Sequence, residues 1–197
     1  MDAMVGSSLI HEFSLTERRC APCVRLSAVS LVQAILLACI GVPACAQTCV
    51  ANVQASTPTA NFVANGNGTV TDRKTGLMWD QCAWGSSGSA CAVGTNATMT
   101  WQAALGVAAT ANGMAYKGYS DWRLPNVKEL LSIVETCRSS PSINEQIFPN
   151  TISNVFWSGS PDVLTSSYAW VVDFGSGYSP GGNRDGVSYV RLVRVGQ

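Results

Sequence analysis

The sequence of 197 residues holds one histidine, His11, close to its start. Downstream of it, Ser-His-Asp and Cys-His activation, histidine general bases and imidazole metal ligands are all excluded. Charge is scarce as well: Asp, Glu, Lys and Arg make up 12% of the chain, and 12 basic residues balance 12 acidic ones. A neutral chain has no basic field to draw in nucleic acid, so no nucleic-acid partner is expected. Beyond residue 46 there is no Cys-x-x-Cys pair, and no Gly-Lys-Ser/Thr follows a glycine-rich stretch. Neither a metal site, nor a phosphate cradle, nor any cofactor is therefore expected. Internal repeats, Gly-X-Y runs and heptads are absent too, which leaves one domain of ordinary size.

What is present begins with an export signal. Arg18, Arg19 and Arg25 precede an apolar run from Leu26 to Ile40, and Ala44-Cys45-Ala46 offers the small residues a signal peptidase inspects. The reading is a leader over 1–46, Gln47 as the first mature residue, and no permanent membrane span, because the run is too short. Leu36-Leu37-Ala38-Cys39 is a loose lipobox that would instead place a lipid on Cys39. The destination is periplasm, cell surface or medium. Three of the 12 basic residues (Arg18, Arg19, Arg25) and three of the 12 acidic ones (Asp2, Glu12, Glu17) leave with the leader, so the remainder stays neutral.

Cys49, Cys82, Cys91 and Cys137 remain, an even number that in an exported chain reads as two disulfides. Cys82 and Cys91 flank a Gly/Ser-rich loop and pair locally, which leaves Cys49 to tie the N-terminal segment to Cys137. The polar stretch 47–64 reads as a linker pinned by Cys49, and the domain proper as 65–197.

The densest local information lies between Gly118 and Leu130. Asn126 with Glu129 forms a capping box, and Pro125 stops the helix from growing backwards. Val127, Leu130, Leu131 and Val134 make the apolar stripe, while Lys128, Glu129, Ser132 and Glu135 are expected to face water. Asp121, Trp122 and Arg123 read as scaffold, with Arg123 in an ion pair to Asp121 or Glu129; the alternative makes Arg123 an anion ligand. An earlier helix is expected from Trp101 to Ala111, with Trp101, Ala104, Leu105 and Ala108 at helical spacing. Val70-Thr71 and Leu77-Met78-Trp79 flank a turn at Gly76, with Trp79 in the core. Further strands are expected at Phe156-Trp157-Ser158, at Tyr168–Phe174 and, as one closing strand, at Tyr189–Val195.

Thr75-Gly76-Leu77-Met78-Trp79, Thr100-Trp101-Gln102-Ala103-Ala104, Asp121-Trp122-Arg123-Leu124-Pro125 with Glu129-Leu130, Phe148-Pro149, Phe156-Trp157-Ser158 and Val190-Arg191-Leu192-Val193-Arg194 occur in that order. The series resembles the Lcl C-terminal domain family, named after the C-terminal domain of a bacterial collagen-like surface adhesin. The resemblance implies an α+β, C-type-lectin-like fold, with two helices on a small, mostly antiparallel sheet and long loops. It also implies an extracytoplasmic location and, for the adhesin, binding to sulfated glycans. The Glu-Pro-Asn, Gln-Pro-Asp and Trp-Asn-Asp signals of calcium-dependent animal lectins are missing, so calcium is not assumed.

The expected role is a binding module for a glycan or another surface protein, with no enzymatic activity. A structural or assembly domain without a small ligand is the alternative, and an enzyme is the third class. The long connection from Gly175 to Gly186 is the expected docking loop, with Tyr178 as a stacking surface and Asn183, Arg184 and Asp185 as hydrogen-bonding groups. It reads equally as a solvated hairpin in which Arg184 pairs with Asp185. The fallback site is the Cys82 to Cys91 loop around Trp84.

Overall fold

The computed structural model describes residues 48–196. The expected leader, its cleavage point and Cys39 lie outside the described residues. The architecture is α+β. Strand β2 (Thr69–Asp72) folds back on β3 (Leu77–Asp80) through a turn that Asp72 organises, accepting from Lys74 N at 2.9 Å and Thr75 Oγ1 at 2.7 Å. Gly76 closes it at φ +71°, where a side chain would be strained. Strand β1 (Phe62–Ala64) pairs with β2, and β11 (Val193–Val195) with β3, giving an antiparallel sheet in the order β1-β2-β3-β11.

The second sheet contains β6 (Thr98–Met99), β10 (Ser188–Tyr189), β7 (Val155–Pro161), β8 (Tyr168–Asp173) and β9 (Gly181–Asn183), in that spatial order. Its pairings are antiparallel except β10 with β7. Adjacent residues of a strand point to opposite faces. Phe156 and Val172, with Phe174 just past β8, therefore join Trp79, Leu130, Ile133 and Phe148 on one side. On the other, Trp157, Ala169 and Val171 meet Ala104, Val107 and Ala111 of helix α1 (Trp101–Gly113). Burial on both faces explains why β7 and β8 read as apolar runs and not as a clean alternation. A hairpin pairs β4 (Ser86–Ser87), inside the Cys82–Cys91 loop, with β5 (Val93–Gly94), just beyond it.

Both disulfides join the expected partners, Cys49 to Cys137 and Cys82 to Cys91. Helix α1 starts where expected, with the Thr100 side chain accepting from Ala103 N, and runs on to Gly113. Its buried face is Ala104, Val107 and Ala111, small residues that let it lie close to the sheet, while Leu105 is exposed.

Helix α2 (Val127–Leu131) carries the capping box but is only 5 residues long. Ser132 ends it by donating to Glu129 O at 2.7 Å, and the next residues turn Ile133 and Val134 into the core. This brings the chief correction. Glu135, expected at the surface, is fully buried. Its carboxylate accepts from Ser56 N at 2.8 Å, Thr57 N and Thr57 Oγ1 at 2.9 Å each, and Ser56 Oγ and Cys137 N at 3.1 Å each.

The stretch expected to be a linker is accordingly part of the fold. Ser56 and Thr57 are clasped by Glu135, a short 3-10 turn covers Thr59–Asn61, and β1 is a strand of the first sheet. The expected closing strand also divides: β10 belongs to one sheet and β11 to the other. Between them Val190 O and Leu192 O accept from Trp84 N and Asp80 N, and the buried Arg191 donates through Nη1 to the carbonyls of Asp80 (2.9 Å) and Gln81.

Candidate functional site

The Asp121–Pro125 segment is scaffold in every detail of its bonding. Asn112 clamps the Trp122 backbone, accepting from Trp122 N at 2.7 Å and donating to Trp122 O at 2.9 Å. The buried Trp122 indole donates to Tyr116 O at 2.8 Å. Arg123 exchanges backbone hydrogen bonds with Val193 and lays its fork on Glu129, both N···O distances 2.7 Å. Asp121 turns instead to Arg194, whose Nε lies 2.6 Å away and whose guanidinium covers Tyr119. Hydrogen bonds from Arg194 hold the Asp121 carboxyl below its ordinary value, and those from Arg123 do the same for Glu129. Trp157 and Trp101 are likewise tied down, through Met99 O at 2.8 Å and Ser158 O at 2.9 Å. Trp79 is completely enclosed.

The residues expected to form the docking loop do not converge. Tyr178 is 61% exposed, at the end of the hairpin where its carbonyl accepts from Asp173 N. Arg184 N donates to Ser167 O at the opposite end of β8. Six residues of extended strand separate those two levels, roughly 20 Å. Arg184 is also occupied: its guanidinium sits 4.3 Å over the Trp101 ring and Nε donates to Tyr168 O at 2.9 Å. Asn183 uses Oδ1 to receive Asp185 N at 3.0 Å, a local turn. Among these four, Tyr178 and Asp185 alone present side chains without a protein hydrogen bond among the described residues.

A better-formed site lies around the Cys82–Cys91 loop. A cleft of about 570 Å³ is bounded by the Gly66-Asn67-Gly68 turn, Gln81, Ser87 to Ser89 and Lys117. At Ser87 it meets a second cleft of about 330 Å³, walled by Trp84, Met114 and Tyr116. The Trp84 and Tyr116 rings stand edge to face, 5.3 Å apart, and both are half-buried. Tyr116 is set between two non-glycine residues in the left-handed region, Ala115 at φ +48° and Lys117 at φ +55°. Such conformations cost on the order of 1 kcal/mol or more each and tend to mark positions where a side chain must be aimed.

Beneath the groove lies a buried charge pair. Lys117 Nζ is 2.6 Å from Asp80 Oδ1 and 2.7 Å from Gly68 O, and stands 5.1 Å from the centre of the Tyr116 ring. Gly68 suits this position, since its φ of +79° would strain a side chain and a Cβ there would come within 2.9 Å of the ammonium. Burial pushes the Asp80 carboxyl up, against the lowering pull of Lys117, and burial together with the Asp80 charge pushes the Tyr116 phenol up. Behind Asp80, Arg191 donates to Thr151 Oγ1 at 2.9 Å and stacks 4.9 Å over Phe148; burial lowers it to about 10. Cys49, Cys137 and Glu135 also cluster, but both sulfurs are in a disulfide and the carboxylate is saturated with donors, so they offer no metal site.

Residues 68–194 match the Lcl C-terminal domain. The chain belongs to that family. No curated protein matches it. The match covers both clefts' main walls apart from Ala64, Gly66 and Asn67, so the groove is largely a feature of the Lcl domain itself. Of its residues, Trp84 was visible in sequence as an indole in a Gly/Ser-rich loop wanting a surface. Asp80, Lys117 and Tyr116 gave no such signal, being far apart in sequence and unremarkable in spacing.

Proposed function

We propose that this Lcl domain is an exported recognition module whose ligand is a glycan seated in the groove beside the Cys82–Cys91 loop. The observation that carries the reading is the half-exposed Trp84 ring in one cleft, joined at Ser87 to a second cleft walled by Asn67, Gln81 and Ser89. Sugars present apolar ring faces rimmed by hydroxyls, and an indole beside planar amides complements both. The C-type-lectin-like assignment goes with this reading, supported by two helices against antiparallel sheets, a long irregular region and two disulfides. Export is supported by the disulfides and the leader-like sequence, and no helix among the described residues is long and apolar enough to cross a membrane. The domain is read as a binder and not an enzyme, since the one enclosed Lys–Asp pair among the described residues is spent on mutual neutralisation.

A glycan array probed with the oxidised protein and with Trp84→Ala tests this. Hits lost in a variant that melts normally support the groove, whereas hits that persist move the site elsewhere. The assembly reading has its own observation: Val163 and Leu164, at the tip between β7 and β8, are 89% and 93% exposed. Two bare aliphatic side chains at a loop tip suit a protein partner better than a sugar. If Val163→Ser, Leu164→Ser abolishes surface association while the array stays blank, that reading takes over.

A further inference from the structure

We infer that the groove selects uncharged, hydroxyl-rich saccharides and discriminates against sulfated or carboxylated ones. The inference rests on the glycan reading above and goes beyond it to the class of sugar. Anionic glycans are held by free guanidinium or ammonium donors, which form short charge-assisted hydrogen bonds to sulfate or carboxylate. Among the described residues lining the two clefts, Lys117 alone carries a formal charge.

That charge is not on offer. An ammonium has three N–H donors. For Lys117 one meets Asp80 Oδ1 at 2.6 Å and a second meets Gly68 O at 2.7 Å, while the Tyr116 ring face stands 5.1 Å from the nitrogen. Its side chain is 12% exposed and that of Asp80 1%. To bind a sulfate, Lys117 would have to give up its 2.6 Å bond to a buried carboxylate, leaving Asp80 with only the through-space pull of Arg191 for countercharge, and breaking one partner from such a pair is costly. The pair presents the groove with no net charge. Tyr116, pushed up by burial and by Asp80, stays a neutral phenol at physiological pH and adds none.

What the walls do offer suits a neutral sugar. Trp84 supplies a ring face; at the far end Asn67 Oδ1 is taken by Thr69 N and Oγ1, and one amide N–H each of Asn67 and Gln81 by Lys117 O and Ile147 O, which leaves a second N–H on each amide, Gln81 Oε1 and the Ser89 hydroxyl for a sugar. Exchanging hydrogen bonds with hydroxyls needs no change in the Lys117–Asp80 pair.

The test compares neutral oligosaccharides (cellotetraose and N-acetyllactosamine repeats) with chondroitin sulfate and heparin tetrasaccharides. Binding to the full oxidised protein is measured at 50 and 500 mM NaCl. The expected result is binding of a neutral member that changes by less than about twofold with salt, as befits contacts that screening does not touch, and is lost at least tenfold in Trp84→Ala. Asp80→Asn, which removes the neutralising charge while keeping the shape, should gain affinity for a sulfated tetrasaccharide by several-fold. Preference for the sulfated members by the wild type, steeply salt-dependent and lost in Trp84→Ala, would overturn the neutral-sugar inference and leave the glycan reading standing. No binding to either class would overturn both. Should Asp80→Asn fail to fold, the wild-type comparison still decides the question.

Discussion

Glu135 is the side chain on which the most backbone converges. Desolvation pushes its carboxyl up, but N–H groups of Ser56, Thr57 and Cys137 outweigh that and hold it below the ordinary value of 4.5. A carboxyl depressed in the folded state lets the unfolded chain bind protons first. Its stabilising contribution is therefore complete above pH 4.5 and is lost as pH falls through the folded value. Asp121 and Glu129 act in the same direction. Melting temperature should accordingly fall steeply below the ordinary carboxylate range, and Glu135→Gln should flatten that dependence. Glu135→Ala, which strands buried donors, should cost about 3 kcal/mol or more in chemical denaturation. At the groove, Ala115 occupies a left-handed conformation in an exposed position, so Ala115→Gly should stabilise by about 1 kcal/mol. A loss of stability there would mean that the Ala115 methyl makes a contact worth more than the strain.

At the scale of elements, the Trp122–Leu130 segment joins α1, α2 and β11. Trp122→Ala removes a buried ring and takes from the Tyr116 carbonyl one of its two donors, the other being Tyr119 N, at about 3 to 5 kcal/mol. Arg123→Ala should cost only about 1 kcal/mol, because its pair with Glu129 is partly exposed and screened. Arg123→Ala, while folded, should not alter binding at the groove; isothermal titration with any array hit would show it. The capping box was legible because Asn126, Glu129 and their donors sit within four residues. The Gly76 turn and the local Cys82–Cys91 bridge were legible for the same reason. The length of α2 was not, since the apolar residues at Ile133 and Val134 fit a helix face and an irregular core segment equally well. The division of Tyr189–Val195 between two sheets had no local signature either, because Val190, Leu192 and Val193 are all buried regardless of which sheet they join.

At the scale of the whole molecule, the domain begins earlier than composition indicates. Ser56 and Thr57 look like linker residues because their partner, Glu135, is 79 and 78 positions away. Arg184 reads as a ligand group or as a partner of Asp185 because nothing in sequence places Trp101 beneath it. Long-range polar contacts of this kind carry no periodicity, and the groove, drawn from three separated segments, is hidden for that reason. A protein trimmed to residues 65–197 loses Cys49, the Glu135 clasp and strand β1. It should yield no cooperative unfolding transition, which differential scanning calorimetry would detect. Reduction of the full domain should lower its stability by about 2 to 4 kcal/mol for the Cys49–Cys137 closure alone.

That closure also fixes how the domain carries tension. A pull applied between Thr48 and Gly196 enters at Cys49 and crosses the bridge directly to Cys137, so the 88-residue span between them lies outside the load path. The first sheet's β1, β2 and β3, helix α1 and both groove walls are within that shielded span. Only the later strands are stretched, and about 300 Å of chain stays stowed until the bridge is reduced. The groove walls are nevertheless held from outside that span, by Val190 O on Trp84 N, Arg191 on Asp80 O and Ile147 O on Gln81, so the site outlasts only an unravelling that stops short of those contacts.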